Sequence, residues 1–313
     1  MSERIGPAVT KPSIKRVLDW SSELTDLMAL QRRRKERSPI HEGLDIKVKS
    51  NGLPYFFVMP LSDLHIGAEG VDYDSLKHHM DILKNFPIYT FLLGDMGDFF
   101  GPKILADAMS GDLETPDEQA STIRAFFKEY EEKILGVVPG NHDNFVKKAS
   151  GVGLWKYALE GLNIPLIESG STVNLNVDGQ KYKIKPFHQI AKYNSSFNLT
   201  HAGKQALRLG DDEADVVMSG DKHVGAVEQT GYRDRVVTIL QTGTFKTHDA
   251  WGKEEGFIST PTPFFPVLAF DARRHNVEVV RDVDAATEFI DLMGGFQKKK
   301  AVAGLHFARK GKK

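Results

Sequence analysis

Five short segments carry side chains that can hold cations or move protons. They are Asp63-Leu64-His65, Gly94-Asp95-Met96-Gly97-Asp98, Gly140-Asn141-His142-Asp143, His188, and Gly220-Asp221-Lys222-His223. Between them they offer carboxylate oxygens, an amide and imidazole nitrogens, the donors that divalent cations take. On an extended chain, residues two apart face the same side. Asp63 and His65 could then reach one ion together, and so could Asp221 and His223. Glycines beside these residues allow tight turns and close approach of backbone to substrate. Each segment alone is a weak signal. Asp-x-His recurs by chance, Gly-Asn-His-Asp suits a turn, and a lone His188 is as readily a core or surface histidine. In order, each behind an apolar run, they point to a metal site. There is no cysteine, which excludes thiolate metal sites, disulfides and cysteine nucleophiles.

The elements that must position these residues follow an α/β pattern. Apolar runs at 55–61, 88–93 and 134–138 have strand length, and each ends in a loop holding one of the segments. Residues 73–83 and 117–133 read as helices, the second behind Thr115-Pro116 with proline in its favoured early position. This pattern predicts a sheet with functional loops at the strand C-terminal ends. The second half is richer in strands. Residues 171–177 and 181–187 flank Asp178-Gly179, a strong hairpin signal, and further strands are predicted at 216–218, 225–230, 236–241 and 267–270. Residues 200–209 read as a short helix, and no fixed-period repeat is present.

Charge narrows the function classes. The 313 residues include 41 Lys+Arg and 42 Asp+Glu, with 41% hydrophobic residues. A balance near zero excludes a chain that coats nucleic acid by bulk charge, and the apolar fraction supplies a core. The basic residues are nevertheless uneven. Ile14, Val17, Leu18, Leu24, Leu27 and Met28 follow helical spacing, and that helix runs into Arg32-Arg33-Arg34-Lys35-Glu36-Arg37. Its expected place is packed on the main domain with a solvated basic end, a phosphate-backbone contact being the alternative. Lys298-Lys299-Lys300 and Arg309-Lys310-Gly311-Lys312-Lys313 form a second basic segment, expected to be flexible and solvated. The expected organisation is a helical extension over 1–50, a main domain over 51–285 and a basic tail over 286–313. No signal-peptide pattern and no membrane-length apolar run are read, so a soluble cytoplasmic protein with no membrane partner is expected.

The set of segments resembles the calcineurin-like metallophosphoesterase family, whose pattern is Asp-x-His, Gly-Asp-x-x-Asp, Gly-Asn-His followed by Asp or Glu, a separate His, and Gly-His-x-His. The likeness spans residues 63–223, about half the chain. It implies an α/β fold of the metallophosphoesterase type: a β-sandwich flanked by helices in four layers, αββα, with a two-metal site at the strand ends. By matching position it implies one metal on Asp63, His65, Asp95 and His223. The second would lie on Asp95, Asn141, His188 and Asp221, with Asp95 bridging. Such a bridge screens two cations about 3.5–4 Å apart. His201 is a second candidate for the place given to His188. His142, oriented by Asp98, is implied to be a general acid rather than a ligand, and Asn141 is implied to contact phosphoryl oxygens as well.

The chain departs from the pattern at Asp221, where the family usually has histidine. Aspartate still offers oxygen, but the site loses one unit of positive charge. It should therefore draw phosphate less strongly, activate water less, and prefer Mn²⁺ or Mg²⁺ over Zn²⁺, with Fe²⁺ also compatible.

The resemblance implies a hydrolase that cleaves phosphoesters with a hydroxide bridging two divalent ions. The basic segments favour a phosphodiesterase or nuclease acting on DNA or RNA, loosely similar to the recombination-repair nuclease branch and to phage-type phosphoesterases. A phosphomonoesterase or nucleotide hydrolase is the alternative within the class, and a non-catalytic metal-binding scaffold the alternative outside it. Phe99-Phe100, Trp155, Phe197 and Trp251 could stack on bases, though aromatics beside strands are usually core. Lys246, His248 and Asp249 follow a predicted strand and could line the cleft.

Overall fold

A computed structural model describes residues 20–37, 40–99, 112–144, 153–190, 195, 197–210, 213–247, 262–294 and 306–308. The chain divides into two compact units, 1–38 and 39–313. The first holds α1 (Trp20–Arg37).

The second unit is built in chain order from β1 (Ile40–Val48), β2 (Tyr55–Val58), α2 (Tyr73–Asn85), β3 (Ile88–Leu92), α3 (Pro116–Tyr130), a single 3₁₀ turn (Glu131–Lys133) and β4 (Ile134–Val137). There follow α4 (Leu154–Ala158), β5 (Leu166–Val177), β6 (Gln180–Pro186), α5 (His201–Leu209), β7 (Val216–Ser219), β8 (Ala226–Tyr232) and β9 (Arg235–Gln241). The described chain ends with β10 (Val267–Asp271), β11 (Val277–Val280), α6 (Val283–Gly294) and β12 (His306–Ala308). The strands pair in the order β11-β10-β2-β3-β4-β5-β6-β7-β9-β8, with β1 on β5 and β12 on β1. The sheet is mixed: β2, β3 and β4 run parallel, whereas β10 is antiparallel to β2 and β6 to β5.

Side-chain alternation curls this sheet into layers. On β2, Phe57 faces one core while Phe56 and Val58 face another, and on β10 Val267 and Ala269 oppose Leu268 and Phe270 in the same way. The first core holds Leu76, Leu83, Ile123, Phe127, Trp155 and Ile290 from the helices α2, α3, α4 and α6. The second holds Phe91, Leu135, Val173, Leu175, Ile184, Val216 and Leu240, residues of both halves of the sheet packed on each other. A third joins α5 to β7 and β9 through Leu207, Val217, Val237 and Ile239. Helices, sheet half, sheet half, helix is the αββα order. The bend falls where β4 meets β5, which pair only at Val137 and Leu166. β3 and β7 are buried along their whole length and are apolar but for Thr90 and Ser219.

Local signals hold the helices at their stated ends. Thr115 and Glu118 form a reciprocal capping box ahead of α3 with Pro116 at its start. Asp72 accepts from Ser75 N at 2.9 Å to cap α2.

Two boundaries differ from the sequence expectation. Residues 40–48, expected within a helical extension, form β1, which pairs in parallel with β5 and buries Leu44, Ile46 and Val48. Residues 286–294, expected in the tail, belong to α6, whose Ala286 and Ile290 are buried, and β12 pairs with β1. Amphipathic spacing and edge pairing thus extend the packed unit at both ends. The lysines 298–300 and residues 309–313 lie outside the described residues.

Candidate metal centre

The loops leaving β2 and β3 are zipped together beyond the strands themselves. Asp63 N donates to Gly94 O at 3.0 Å, His65 N to Asp95 O at 3.1 Å and Ile66 N to Met96 O at 2.9 Å. Along this seam the backbone turns left-handed at residues that are not glycine: Asp63 (φ 51°), His65 (45°) and Asp95 (52°). Asp221 (71°) and His223 (58°) on the loop after β7 do the same. Each such residue costs on the order of 1–2 kcal/mol, so the surrounding pairing must hold it there. The expectation that Asp63 and His65 share a face because the chain is extended is therefore corrected. They converge through left-handed turns. Glycine is needed where the loops touch: a Cβ on Gly140 would sit 2.0 Å from Asp95 Oδ1, and one on Gly94 2.6 Å from His188 Nδ1.

The side chains so placed form two adjoining clusters, Asp63–His65–His223 and Asp63–Asp95–His188, each with ligand atoms within 4.8 Å of one another. In the first, His223 Nε2 lies 3.2 Å from Asp63 Oδ1 and 3.1 Å from His65 Nε2. In the second, His188 Nε2 lies 3.3 Å from Asp95 Oδ2, 2.7 Å from Asn141 Oδ1 and 3.8 Å from Asp221 Oδ1. The carboxylate common to both clusters is Asp63, where Asp95 was expected to bridge. Asp95 Oδ1 accepts from the His142 N–H at 2.9 Å, and its Oδ2 faces His188. His188 joins the cluster, whereas His201 begins α5 and joins neither.

Tautomers are set from behind. His65 Nδ1 bonds Asp98 Oδ1 and His188 Nδ1 bonds Leu93 O, each at 2.7 Å. Both rings then present Nε2 to the clusters, the arrangement metal-binding histidines use. The donor set fits divalent cations on a further ground. Asp63 is fully buried, and its Oδ1 is aligned with no hydrogen-bond donor. Buried acceptors facing each other without a donor are costly until a cation joins them. Protons respond to the same field. Burial disfavours charge on the His188 imidazole, yet Asp95, Asp63 and Asp221 around it raise its pKa to about 10. Burial also opposes ionisation of Asp63, but His223 close beside it holds its carboxyl well below the usual range.

Asp221 Oδ1 faces His188, while its Oδ2 is held by Lys222 Nζ at 2.8 Å and Gln189 Nε2 at 3.2 Å. His142 Nδ1 bonds the main-chain oxygen of Asp98 at 2.5 Å and lies 3.6 Å from the carboxylate, so the backbone rather than the side chain of Asp98 orients this ring. A cavity of about 560 Å³ opens beside the second cluster, lined by Pro139, Gly140, Asn141, Asn144, Ser169, His188 and Gln189.

Two buried participants hold places the sequence did not assign, Asp143 having no stated role and Lys246 being expected only to line the cleft. Asp143 accepts from Gly140 N (2.7 Å), Asp95 N (2.9 Å) and Met96 N (3.0 Å) and so fastens the two ligand loops. Burial, then the Asp95 charge, pushes its carboxyl up to about 7. Its place as fourth residue of the 140–143 segment was its only signal. Lys246 Nζ bonds Asp98 Oδ2 at 2.7 Å, a pairing no local spacing announces. Of the aromatics, Phe99 and Trp155 are buried and Phe197 is exposed. Phe100, His248, Asp249 and Trp251 lie outside the described residues.

Strand ends that gather carboxylates and imidazoles over two adjoining cation positions define a dinuclear metallohydrolase. The chain belongs to the calcineurin-like phosphoesterase family, whose model matches residues 58–242. It is thus an enzyme of metal-dependent phosphoester hydrolysis. Similar solved structures include a conserved uncharacterised phosphoesterase-like protein from Streptococcus pneumoniae (16% identity, 74% of this chain and 91% of that one, TM-score 0.35). Another is zinc-bound Vps29 from Entamoeba histolytica (12%, 72% and 98%, 0.35). A third is the calcineurin-like phosphoesterase YfkN from Bacillus subtilis (10%, 77% and 96%, 0.38). No curated protein matches the sequence. Among the described residues no helix is long and apolar enough to cross a membrane.

Proposed function

We propose that this phosphoesterase acts on phosphodiesters. The observation that carries the reading is the carboxylate at 221, with one oxygen facing the cluster and the other tied to Lys222 and Gln189. Two divalent cations against Asp63, Asp95 and Asp221 leave a single net positive charge, where a histidine at 221 would leave two. Losing one unit of positive charge weakens attraction to a dianionic monoester twice as much as to a monoanionic diester. The arrangement therefore disfavours monoesters. DNA or RNA is the diester that the basic residues favour, Arg32 and Arg33 being exposed on α1, and a nuclease-like branch would fit it.

In this reading one cation is held by Asp63, His65 and His223, and the other by Asp63, Asp95, Asn141, His188 and Asp221. The oxygen-rich second set suits Mn²⁺ or Mg²⁺. Bound divalent cations would lower the pKa of the attacking water and offset charge growing on the phosphoryl oxygens. His65 and His188 keep Nε2 forward because their Nδ1 atoms are spent on Asp98 and Leu93. His142, fixed through Nδ1 on the Asp98 carbonyl, would as the imidazolium deliver its Nε2 proton to the departing oxygen and be left as the neutral ring. The cavity beside Asn141 and Gln189 receives the part of the substrate that stays with phosphorus.

The test compares bis-p-nitrophenyl phosphate, p-nitrophenyl phosphate and single-stranded DNA, each with Mn²⁺ and with chelator. Diester turnover with little monoester turnover is expected. The reverse preference overturns the reading, and full metal occupancy without turnover would leave a metal-binding scaffold.

A further inference from the structure

Asp98 serves two imidazoles and is itself held on every side. Its Oδ1 bonds His65 Nδ1 at 2.7 Å and its main-chain oxygen bonds His142 Nδ1. Its N–H, with that of Phe99, donates to the buried Gln119 Oε1, both at 3.1 Å. The remaining oxygen, Oδ2, accepts from Lys246 Nζ at 2.7 Å. Lys246 is only 5% exposed. Its own N–H donates to Thr244 Oγ1 at 2.9 Å, and that hydroxyl donates to Asp63 O at 2.7 Å. A buried ammonium thus holds the Asp98 loop, while the Lys246 backbone reaches the Asp63 loop through Thr244.

The geometry gives this ammonium a task. His142 Nδ1 is 3.6 Å from the same Asp98 Oδ1 that His65 uses at 2.7 Å, so the two rings compete for one oxygen. A carboxylate free to rotate could serve either. With Oδ2 fixed on Lys246, rotation stops, Oδ1 stays on His65, and His142 is left to the carbonyl. His65, Asp98 and His142 also bring ligand atoms within 4.8 Å of one another, a third group of cation-binding type. The Lys246 ammonium meets that group from the side of Asp98 Oδ2.

We infer that Lys246 is a positioning residue which, through the Asp98 carboxylate, keeps His65 turned toward the metal clusters and His142 turned toward the leaving group. The inference rests on the proposed role of His142. It goes further by assigning the alignment of both rings to one charge contact made from the loop after β9.

The experiment uses the Mn²⁺-loaded full chain, with methyl aryl phosphate diesters of graded leaving-group pKa. Lys246→Ala is expected to lower kcat by about tenfold or more, most for the poorest leaving groups, with KM within about twofold and metal content unchanged at saturation. Propylammonium should restore part of that loss, and 1-propanol, of similar size and no charge, should not. In the His142→Ala background the cost of Lys246→Ala should shrink by about threefold or more, because residues acting in one chain are not additive. Equal rescue by the alcohol, or an undiminished cost in that background, would overturn the inference and leave Lys246 a packing residue. If His142→Ala lacks leaving-group dependence while the ammonium rescue holds, the acid role fails and the charge contact of Lys246 stands. Should Lys246→Ala not fold, Lys246→Arg decides: it must keep at least about a third of kcat, and a tenfold fall overturns the inference.

Discussion

The two cation clusters share Asp63 but are built differently. Asp63 and His65 are both buried, and His65 is backed by Asp98 and, behind that, Lys246. Both lie on a seam of backbone hydrogen bonds between the β2 and β3 loops. The second cluster has an equally firm inner part in Asp95 and His188, yet its outer member, Asp221, is anchored by Gln189 and by the partly exposed Lys222. Asp63 and His65 are preformed down to their supporting shell, with the partly exposed His223 at the edge of that cluster. The other cluster has a rigid floor and an adjustable rim. Preformed oxygen and imidazole donors bind without reorganisation, so the first position should fill first and the second should be where metal identity and substrate charge are tuned.

The widest effect should come from the residue that both clusters share. Asp63→Asn is expected to remove both cations at micromolar Mn²⁺ and to lower diester turnover by at least ~10²–10³-fold. Metal analysis after gel filtration reads the first effect. Retention of one cation in Asp63→Asn, together with loss of both in Asp95→Asn, would return the bridging role to Asp95 and break the contrast drawn here.

The His142 ring lies 5.0 Å from that of His65 but belongs to neither of the two ligand sets. Its replacement by alanine should leave two cations bound while slowing diesters with poor leaving groups by ~10²–10⁴-fold, and p-nitrophenyl esters far less. Equal slowing of both would remove its role as the acid.

The rim is tested by Asp221→His. That change adds one unit of positive charge, and it should loosen Mn²⁺ at the second position and shift the monoester-to-diester ratio toward monoesters by roughly tenfold, or ~1.4 kcal/mol. Unchanged stoichiometry and an unchanged ratio would mean that Asp221 Oδ1, 3.8 Å from His188 Nε2, takes no part in either.

What the sequence discloses divides along a similar line. Apolar runs placed β2, β3 and β4, and the loop after each holds a ligand segment, because both features are local. The alternation of Leu44, Ile46 and Val48 with Asp45 and Lys47 is equally local, yet β1 gains meaning only from its distant parallel partner β5. The left-handed turns at Asp63 and His65 leave only a faint trace in residue type, since aspartate and histidine enter that region more readily than most but neither is glycine. They exist because neighbouring loops hold them. Asp63 as the common carboxylate and Lys246 as the partner of Asp98 are likewise matters of tertiary distance. Motif spacing names the ligands but not which oxygen is left over once each has found its partners.

The smallest effect expected marks the far side of this contrast, where local rules suffice. Asp72 caps α2 through Ser75 N at 2.9 Å and the Ser75 hydroxyl at 2.7 Å, and these bonds hold its carboxyl below the ordinary value. A depressed carboxyl contributes stability above the unfolded-state pKa of ~3.9, and that contribution is lost as pH falls through the folded-state value. Asp72→Ala should therefore cost ~1 kcal/mol near neutral pH, and the gap to the unchanged chain should narrow in acid. Urea unfolding at several pH values measures it, with metal content and kcat unaffected. A cost that stays constant in acid would mean that the carboxylate charge is not what caps the helix. A fall in metal content would mean that the α2 end of the molecule is coupled to the clusters after all.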